Sequence, residues 1–189
     1  LAAVKYIVRD GAPAYRKFGT EKSAGTKLFS VSGNVVKPGN YEVPLGFPLK
    51  ELIFDLCGGL KPGRKLKAVI PGGSSAPVLT ADESMRATMD YECLAQMGSM
   101  LGSGAVVVID DSNCMVDLLK VILHFYHHES CGQCTPCREG TGWLDKIVTS
   151  IVRGHGRAHD VQLIEKVSRQ MMGRTICALS DAAAMPAIS

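Results

Sequence analysis

From residue 27 the hydrophobic positions recur with a period of two: Phe29, Val31, Gly33 and Val35 alternate with Leu28, Ser30, Ser32 and Asn34. That is the pattern of a half-buried strand. "KPGN" at 37–40 punctuates the chain, and Tyr41, Val43 and Leu45 then resume the alternation, which predicts a hairpin. Pro48 suits a first helical position. Leu49, Leu52, Ile53 and Leu56 fall on one face and Gly58-Gly59 supplies a stop, so a short amphipathic helix is predicted over 48–57. "LKAVI" at 66–70 and "AVVVI" at 105–109 predict further strands, the second buried because it is short and β-branched. Residues 74–100 fit neither period.

After Ile109 the period lengthens. "DDSN" at 110–113 offers helix-capping side chains, and Met115, Leu118, Leu119, Ile122, Phe125 and Tyr126 form a helical stripe. A second stripe, Trp143, Leu144, Ile147, Val148 and Ile151, stops at Gly154. A third, Val161, Ile164, Val167 and Met171, begins near Asp160 and stops at Gly173. The aromatic residues Phe125, Tyr126 and Trp143 are expected in the core of this bundle. The fold class is therefore α+β, a small β domain followed by helices.

Composition changes this picture little. A chain of 189 residues can form one domain or two small ones, and 46% hydrophobic with 21% charged residues is the balance of a globular protein. The longest aliphatic run is far too short to cross a bilayer. A net charge of +3 is spread without a basic block, which argues against nucleic-acid binding. The opening residues, "LAAVKYIVRDG", carry no initiator Met and no leader pattern, so the chain reads as a piece of a longer protein.

The seven cysteines are unevenly placed. Three occur in "ESCGQCTPCREG", residues 129–140, as Cys131, Cys134 and Cys137, a C-x2-C-x2-C run. Structural zinc is usually gripped by two separated pairs of ligands, whereas this run presents a tripod of thiolates suited to a wider core. The same spacing opens two-cluster ferredoxin motifs, but the next cysteine of that motif is replaced here by Thr141. Cys177, in "RTICALSDAAAMP", is a candidate fourth donor because small residues there allow close backbone approach. His127 and His128 compete with it as ligands of a Cys3His zinc site, although adjacent histidines on a polar helix face are commonly solvated. Cys57, Cys93 and Cys114 read as buried hydrophobes. "PGGSS" at 71–75 reads as an ordinary turn rather than an anion-binding nest. Gly132 and Gly140 would permit left-handed backbone and close amide approach to sulfur.

"ESCGQCTPCREG" followed some forty residues later by "TICAL" resembles the flavoprotein subunit of respiratory NADH:quinone oxidoreductase (complex I) and its diaphorase relatives. "GTKLFSVSGNVVKPGNYEVPLG" and "AVIPGGSSAPVL" resemble that family's soluble-ligand-binding (SLBB) β-grasp domain. The resemblance implies a ubiquitin-like β-grasp domain over 27–111, a [4Fe–4S]-binding helical bundle over 112–189 that ends before its last helix is complete, and a remnant of the FMN/NADH domain with its linker over 1–26. It implies that Cys131, Cys134, Cys137 and Cys177 bind one [4Fe–4S] cluster. FMN and NADH would bind in the absent N-terminal domain, so the fragment itself would not oxidise NADH.

Electrons would pass from FMN through the cluster toward quinone. The partners implied are the small [2Fe–2S] subunit and the large multi-cluster iron–sulfur subunit, with membrane contact only through partners. The location would be the cytoplasmic face of the bacterial inner membrane, or the mitochondrial matrix side. The alternatives are a diaphorase subunit of a soluble hydrogenase or formate dehydrogenase, and a zinc-stabilised interaction module. Ser180 departs from the family's usual glycine after "CAL", which puts the neighbouring turn in question. Arg138 and Arg174, beside ligands, are candidate cations that would favour the reduced cluster; at about 7 Å and an effective dielectric near 20 each would contribute roughly 2 kcal/mol.

Overall fold

A computed structural model describes residues 2–189, which divide into two compact units. The first contains residues up to Gly73 together with Val78–Asp110. Two short helices, α1 (Ala2–Asp10) and α2 (Ala12–Tyr15), precede the hairpin of β1 (Thr26–Gly33) and β2 (Gly39–Pro44). Then come β3 (Phe47–Pro48), α3 (Leu49–Glu51), β4 (Leu66–Ile70), β5 (Leu79–Thr80), α4 (Ala81–Ser84), β6 (Thr88–Met89), α5 (Tyr91–Gln96) and β7 (Ala105–Asp110).

Five strands form one sheet in the order β2-β1-β7-β4-β5, and β3 pairs with β6 separately. The central pair β1–β7 is parallel, with Val31 opposite Val106, while the other pairings are antiparallel. A parallel pair requires a long crossover, and residues 34–104 supply it. The period of two in β1 is realised as Phe29 and Val31 buried and Leu28 and Ser30 exposed. Those inward side chains meet Leu49, Leu52 and Ile53, all fully buried, in one hydrophobic core. The expected helix over 48–57 begins at Leu49, but its second half, Leu52–Leu56, is wound more widely. Cys57 N–H donates to Leu52 O at 3.1 Å, five residues back, before Gly58 and Gly59 end the element with positive φ.

The segment that fitted neither period holds only two-residue strands and short helices. The start of α4 is fixed by reciprocal bonds in which Glu83 N–H donates to Thr80 Oγ1 and Thr80 N–H to Glu83 Oε2. The glycine stretch at 71–75 forms a turn in which Gly73 N–H donates to Ala105 O.

The second unit contains Ser74–Pro77 and Asp111–Ser189. Its helices are α6 (Met115–Glu129), α7 (Thr135–Val152), α8 (Asp160–Met171) and α9 (Leu179–Ile188). Three match the stripes, and their inner faces bury Ile122, Leu123, Leu144, Val148, Ile164 and Val167. Ser74 Oγ lies 2.9 Å from the hydroxyl of buried Tyr126 and satisfies it. Two expectations fail at the edges of the stripes: Phe125 is 51% exposed and Trp143 53% exposed. The N-cap of α6 is Cys114, one residue past "DDSN", and its side chain makes no cap hydrogen bond.

Gly140 sits within α7, and a Cβ there would fall 2.4 Å from the sulfur of Met171, the last residue of α8. Its expected role beside a cluster is thereby corrected: the missing Cβ lets two helices approach. Gly140→Ala should gain up to about 1 kcal/mol of helix propensity but incur an overpacking cost of about 1–3 kcal/mol. A lower thermal unfolding temperature followed by circular dichroism is expected; an unchanged or raised one would mean that α7 and α8 have slack at this crossing.

Candidate metal centre

Helix α6 ends at Ser130, where the backbone turns extended (φ −65°, ψ 123°). Cys131 follows, then Gly132 at φ +76°, a left-handed conformation that side chains with a Cβ rarely adopt. Helix α7 takes Cys134 as its N-cap, with Pro136 in its first turn and Cys137 one turn along. Pro136 suits this place because it lacks the N–H that a first turn leaves unpaired anyway. Two thiols therefore stand at the start of an 18-residue helix, the end that carries partial positive charge and favours anions.

Cys134 makes no cap bond to its own helix. Its sulfur accepts the backbone N–H of Ile176 at 3.5 Å, across 42 residues of sequence. Cys177 is thus carried on a segment in contact with the C-x2-C-x2-C loop. That segment, 172–178, links α8 to α9 and is tied at several points. Gly173 N–H donates to Asp181 Oδ1 at 2.7 Å, Thr175 Oγ1 donates to Cys177 O at 2.9 Å, and buried Ser180 donates to Met171 O at 3.2 Å. Ser180 accordingly stands in the first turn of α9 and binds the end of α8, so the turn is held rather than disturbed by the serine.

Cys137 is 7% exposed, Cys134 is half-buried, and Cys131 and Cys177 are exposed. Ser130 Oγ lies 3.3 Å from Cys137 Sγ and accepts the N–H of Gly132 at 3.3 Å. Arg138 donates from Nη1 to Gly132 O at 2.7 Å and from Nε to Glu139 at 3.0 Å. It ties down the loop and pairs with a neighbouring exposed carboxylate. Arg174 is exposed.

The other donors are accounted for elsewhere. His127 Nδ1 lies 3.3 Å from Asp145 Oδ2, which also meets His124 at 3.2 Å, and His128 pairs with Glu129 at 3.1 Å. Both His127 and His128 are solvent-exposed, as expected, and each also meets a carboxylate. Cys57 is fully buried, and burial pushes its thiol pKa up, so it behaves as a neutral hydrophobe. Cys93 is half-buried, its sulfur accepting Thr88 N–H at 3.4 Å, whereas Cys114 is exposed, contrary to expectation. Among the described residues no three His, Cys, Asp or Glu side chains converge tightly enough to hold a single metal ion. Soft thiols on two abutting segments, with a backbone amide directed at one sulfur, are donors of the kind an iron–sulfur core takes.

This fold and donor set define a small mixed-sheet unit accompanied by a helical iron–sulfur-binding unit. Residues 27–109 match the SLBB domain family, and residues 117–189 match the family described as the NADH-ubiquinone oxidoreductase-F iron-sulfur binding region. The chain belongs to the F-subunit family of NADH-quinone oxidoreductase and matches the C-terminal region of that family. It is 51% identical to the F2 subunit of NADH-quinone oxidoreductase from Rhizobium meliloti (strain 1021), over 98% of this chain and 44% of that protein. Identity to the corresponding F-subunit of Mycobacterium tuberculosis (strain ATCC 25618 / H37Rv) is 46%, over all of this chain and 42% of that protein. The chain thus spans less than half the length of these relatives. Among solved structures, an NAD+-reducing [NiFe]-hydrogenase in the air-oxidized state superposes with a TM-score of 0.84 at 33% identity, covering 97% of this chain and 31% of the other.

Asp181 holds the start of the 172–178 segment through one exposed hydrogen bond, worth about 1 kcal/mol. Asp181→Ala should raise amide hydrogen exchange at 173–177 while leaving the interior of α7 unchanged. Unaltered exchange at 173–177 would show that the segment is held by other means.

Proposed function

We propose that Cys131, Cys134, Cys137 and Cys177 hold one [4Fe–4S] cluster and that this chain is the electron-transfer portion of an NADH-oxidising flavoprotein subunit of NADH:quinone oxidoreductase. The observation that carries this reading is the Ile176 N–H to Cys134 sulfur contact, which brings the distant cysteine's segment onto the C-x2-C-x2-C loop. When bound, such a cluster supplies reversible one-electron storage, matched to a flavin that gives up electrons singly. The chain's own part is to hold four sulfurs on a packed scaffold and to favour negative charge there. The α7 N-terminus and the Ile176 amide do the second of these.

Residues 27–111 act as the β-grasp domain, 112–189 as the cluster-bearing bundle, and 1–26 as a remnant of the flavin domain. FMN and NADH bind outside these residues, and the chain alone does not oxidise NADH. In support, Gly102 and Gly104 lead into β7 and Gly19 and Gly25 into β1, so neither glycine stretch opens a helix that could receive a pyrophosphate. Cys131 and Cys177 are exposed, which leaves one side of the donor set open to a neighbouring subunit. The neighbours we assign are the small [2Fe–2S] subunit and the large multi-cluster subunit, at the cytoplasmic face of a bacterial inner membrane or its matrix-side equivalent. No described helix is long and apolar enough to cross a membrane.

A diaphorase role in a hydrogenase is favoured by the structural likeness at 33% identity, but the quinone-linked relatives stand at 46–51% over nearly the whole chain. In the complete anaerobic complex, Cys177→Ala should preserve NADH oxidation by an artificial acceptor drawing on the flavin and reduce electron delivery to quinone to background. Undiminished quinone reduction in a variant lacking the cluster would remove this reading.

A further inference from the structure

We propose that Ser130 is a tuning residue for the iron–sulfur centre: its hydroxyl donates a hydrogen bond to the Cys137 thiolate and raises the reduction potential. The inference rests on the cluster reading above and concerns a side chain that the cysteine pattern does not include.

Cys137 is the one thiol of the four that is buried. Water can do least there to stabilise the negative charge that a sulfur shares with the iron, so a protein donor at that position counts for more than at the exposed ligands. Ser130 Oγ is 3.3 Å from Cys137 Sγ, well inside hydrogen-bonding range for sulfur. The direction follows from proton counting. A metal-bound thiolate carries no proton and can only accept. The serine oxygen already accepts the Gly132 N–H at 3.3 Å, so its single proton is free to point at the sulfur. The result is a polarised chain from amide to hydroxyl to thiolate, in which each bond strengthens the next.

Its geometry is set by backbone rather than by chance. Ser130 is the residue at which α6 stops, and Gly132 at φ +76° folds the loop so that its amide returns to the same hydroxyl. Adding one electron to the centre increases the negative charge on sulfur and moves no proton: the hydroxyl keeps its hydrogen, and only the strength of its bond rises. A bond that is stronger in the reduced state favours reduction. A serine that merely ended a helix would leave the potential where it was.

The test uses the complete flavoprotein subunit in its complex, prepared anaerobically, with redox titration followed by electron paramagnetic resonance. Ser130→Ala is expected to keep its iron and sulfide content and to titrate at a more negative potential. Ser130→Thr, which retains the hydroxyl, should return it toward the wild-type value. A fully loaded S130A with unchanged potential overturns the proposal. Wild-type protein without a four-iron centre would overturn the cluster reading itself, a distinguishable failure. Should S130A not assemble, electron–nuclear double resonance on wild type and S130T after exchange into D2O decides the matter. An exchangeable proton coupled to the reduced centre with the strength of a hydroxyl bound to sulfur, present in both the serine and the threonine forms, supports the assignment; its absence from either overturns it.

Discussion

The close approach of α7 to α8, where Gly140 leaves room for the side chain of Met171, is the constraint from which the site follows. Gly140 lies three residues beyond Cys137, and Met171 is the last residue of its helix. Their contact delivers the end of α8 to the beginning of α7. The segment that follows then reaches Cys134, and its amide meets the sulfur. Loop closure on this scale is costly in entropy for a free chain. Here the cost is borne by helix packing that buries Leu144, Val148, Ile164 and Val167, and the loop needs only a few local bonds, from Asp181, Thr175 and Ser180, to stay in place.

That division between scaffold and loop gives the donor set its uneven exposure. Cys137 is carried inside the first turn of α7 and is buried, whereas Cys131 and Cys177 lie on connecting segments and are open. A redox centre held by the proposed four cysteines would be insulated on its helix side and accessible on its loop side. Peptide dipoles and hydrogen bonds would favour charge on it, while Arg138 is engaged by Gly132 and Glu139 and Arg174 is exposed. The first unit, with its closed core around Phe29 and Leu52, places no donor in this set: Cys57 is one of its hydrophobic residues.

Much of this was legible in the order of residues. The hairpin showed because a sheet with one wet face imposes strict alternation, and the three long helices showed because each has a continuous apolar stripe. The cysteine run stands out by its spacing, and Cys177 enters the proposed donor set through the family resemblance. What failed to show depended on the third dimension. A stripe tells which positions are apolar but not how wide an arc is covered, so Phe125 and Trp143 were misplaced at its margins. The wider winding at 52–56 leaves no mark in the apolar stripe, which runs through it unchanged. Strands of two residues carry no period at all. Gly140 looked like part of the cysteine loop because it is near it in sequence, yet its space is taken by a residue thirty-one positions away. Ser130 carries no signal in the sequence pattern, and the pairing of His124 and His127 with Asp145 required knowing which faces of α6 and α7 meet.

Four sulfurs, three local and one remote, enclosing a single iron core are the centre of the proposed function. Anomalous diffraction from anaerobically grown crystals of the complete flavoprotein subunit, recorded at the iron and zinc absorption edges, tests this most directly. Iron density is expected to resolve into four sites within bonding distance of the sulfurs of Cys131, Cys134, Cys137 and Cys177, with no zinc signal. A single zinc peak, or an iron core whose fourth ligand is any group other than Cys177, would contradict it.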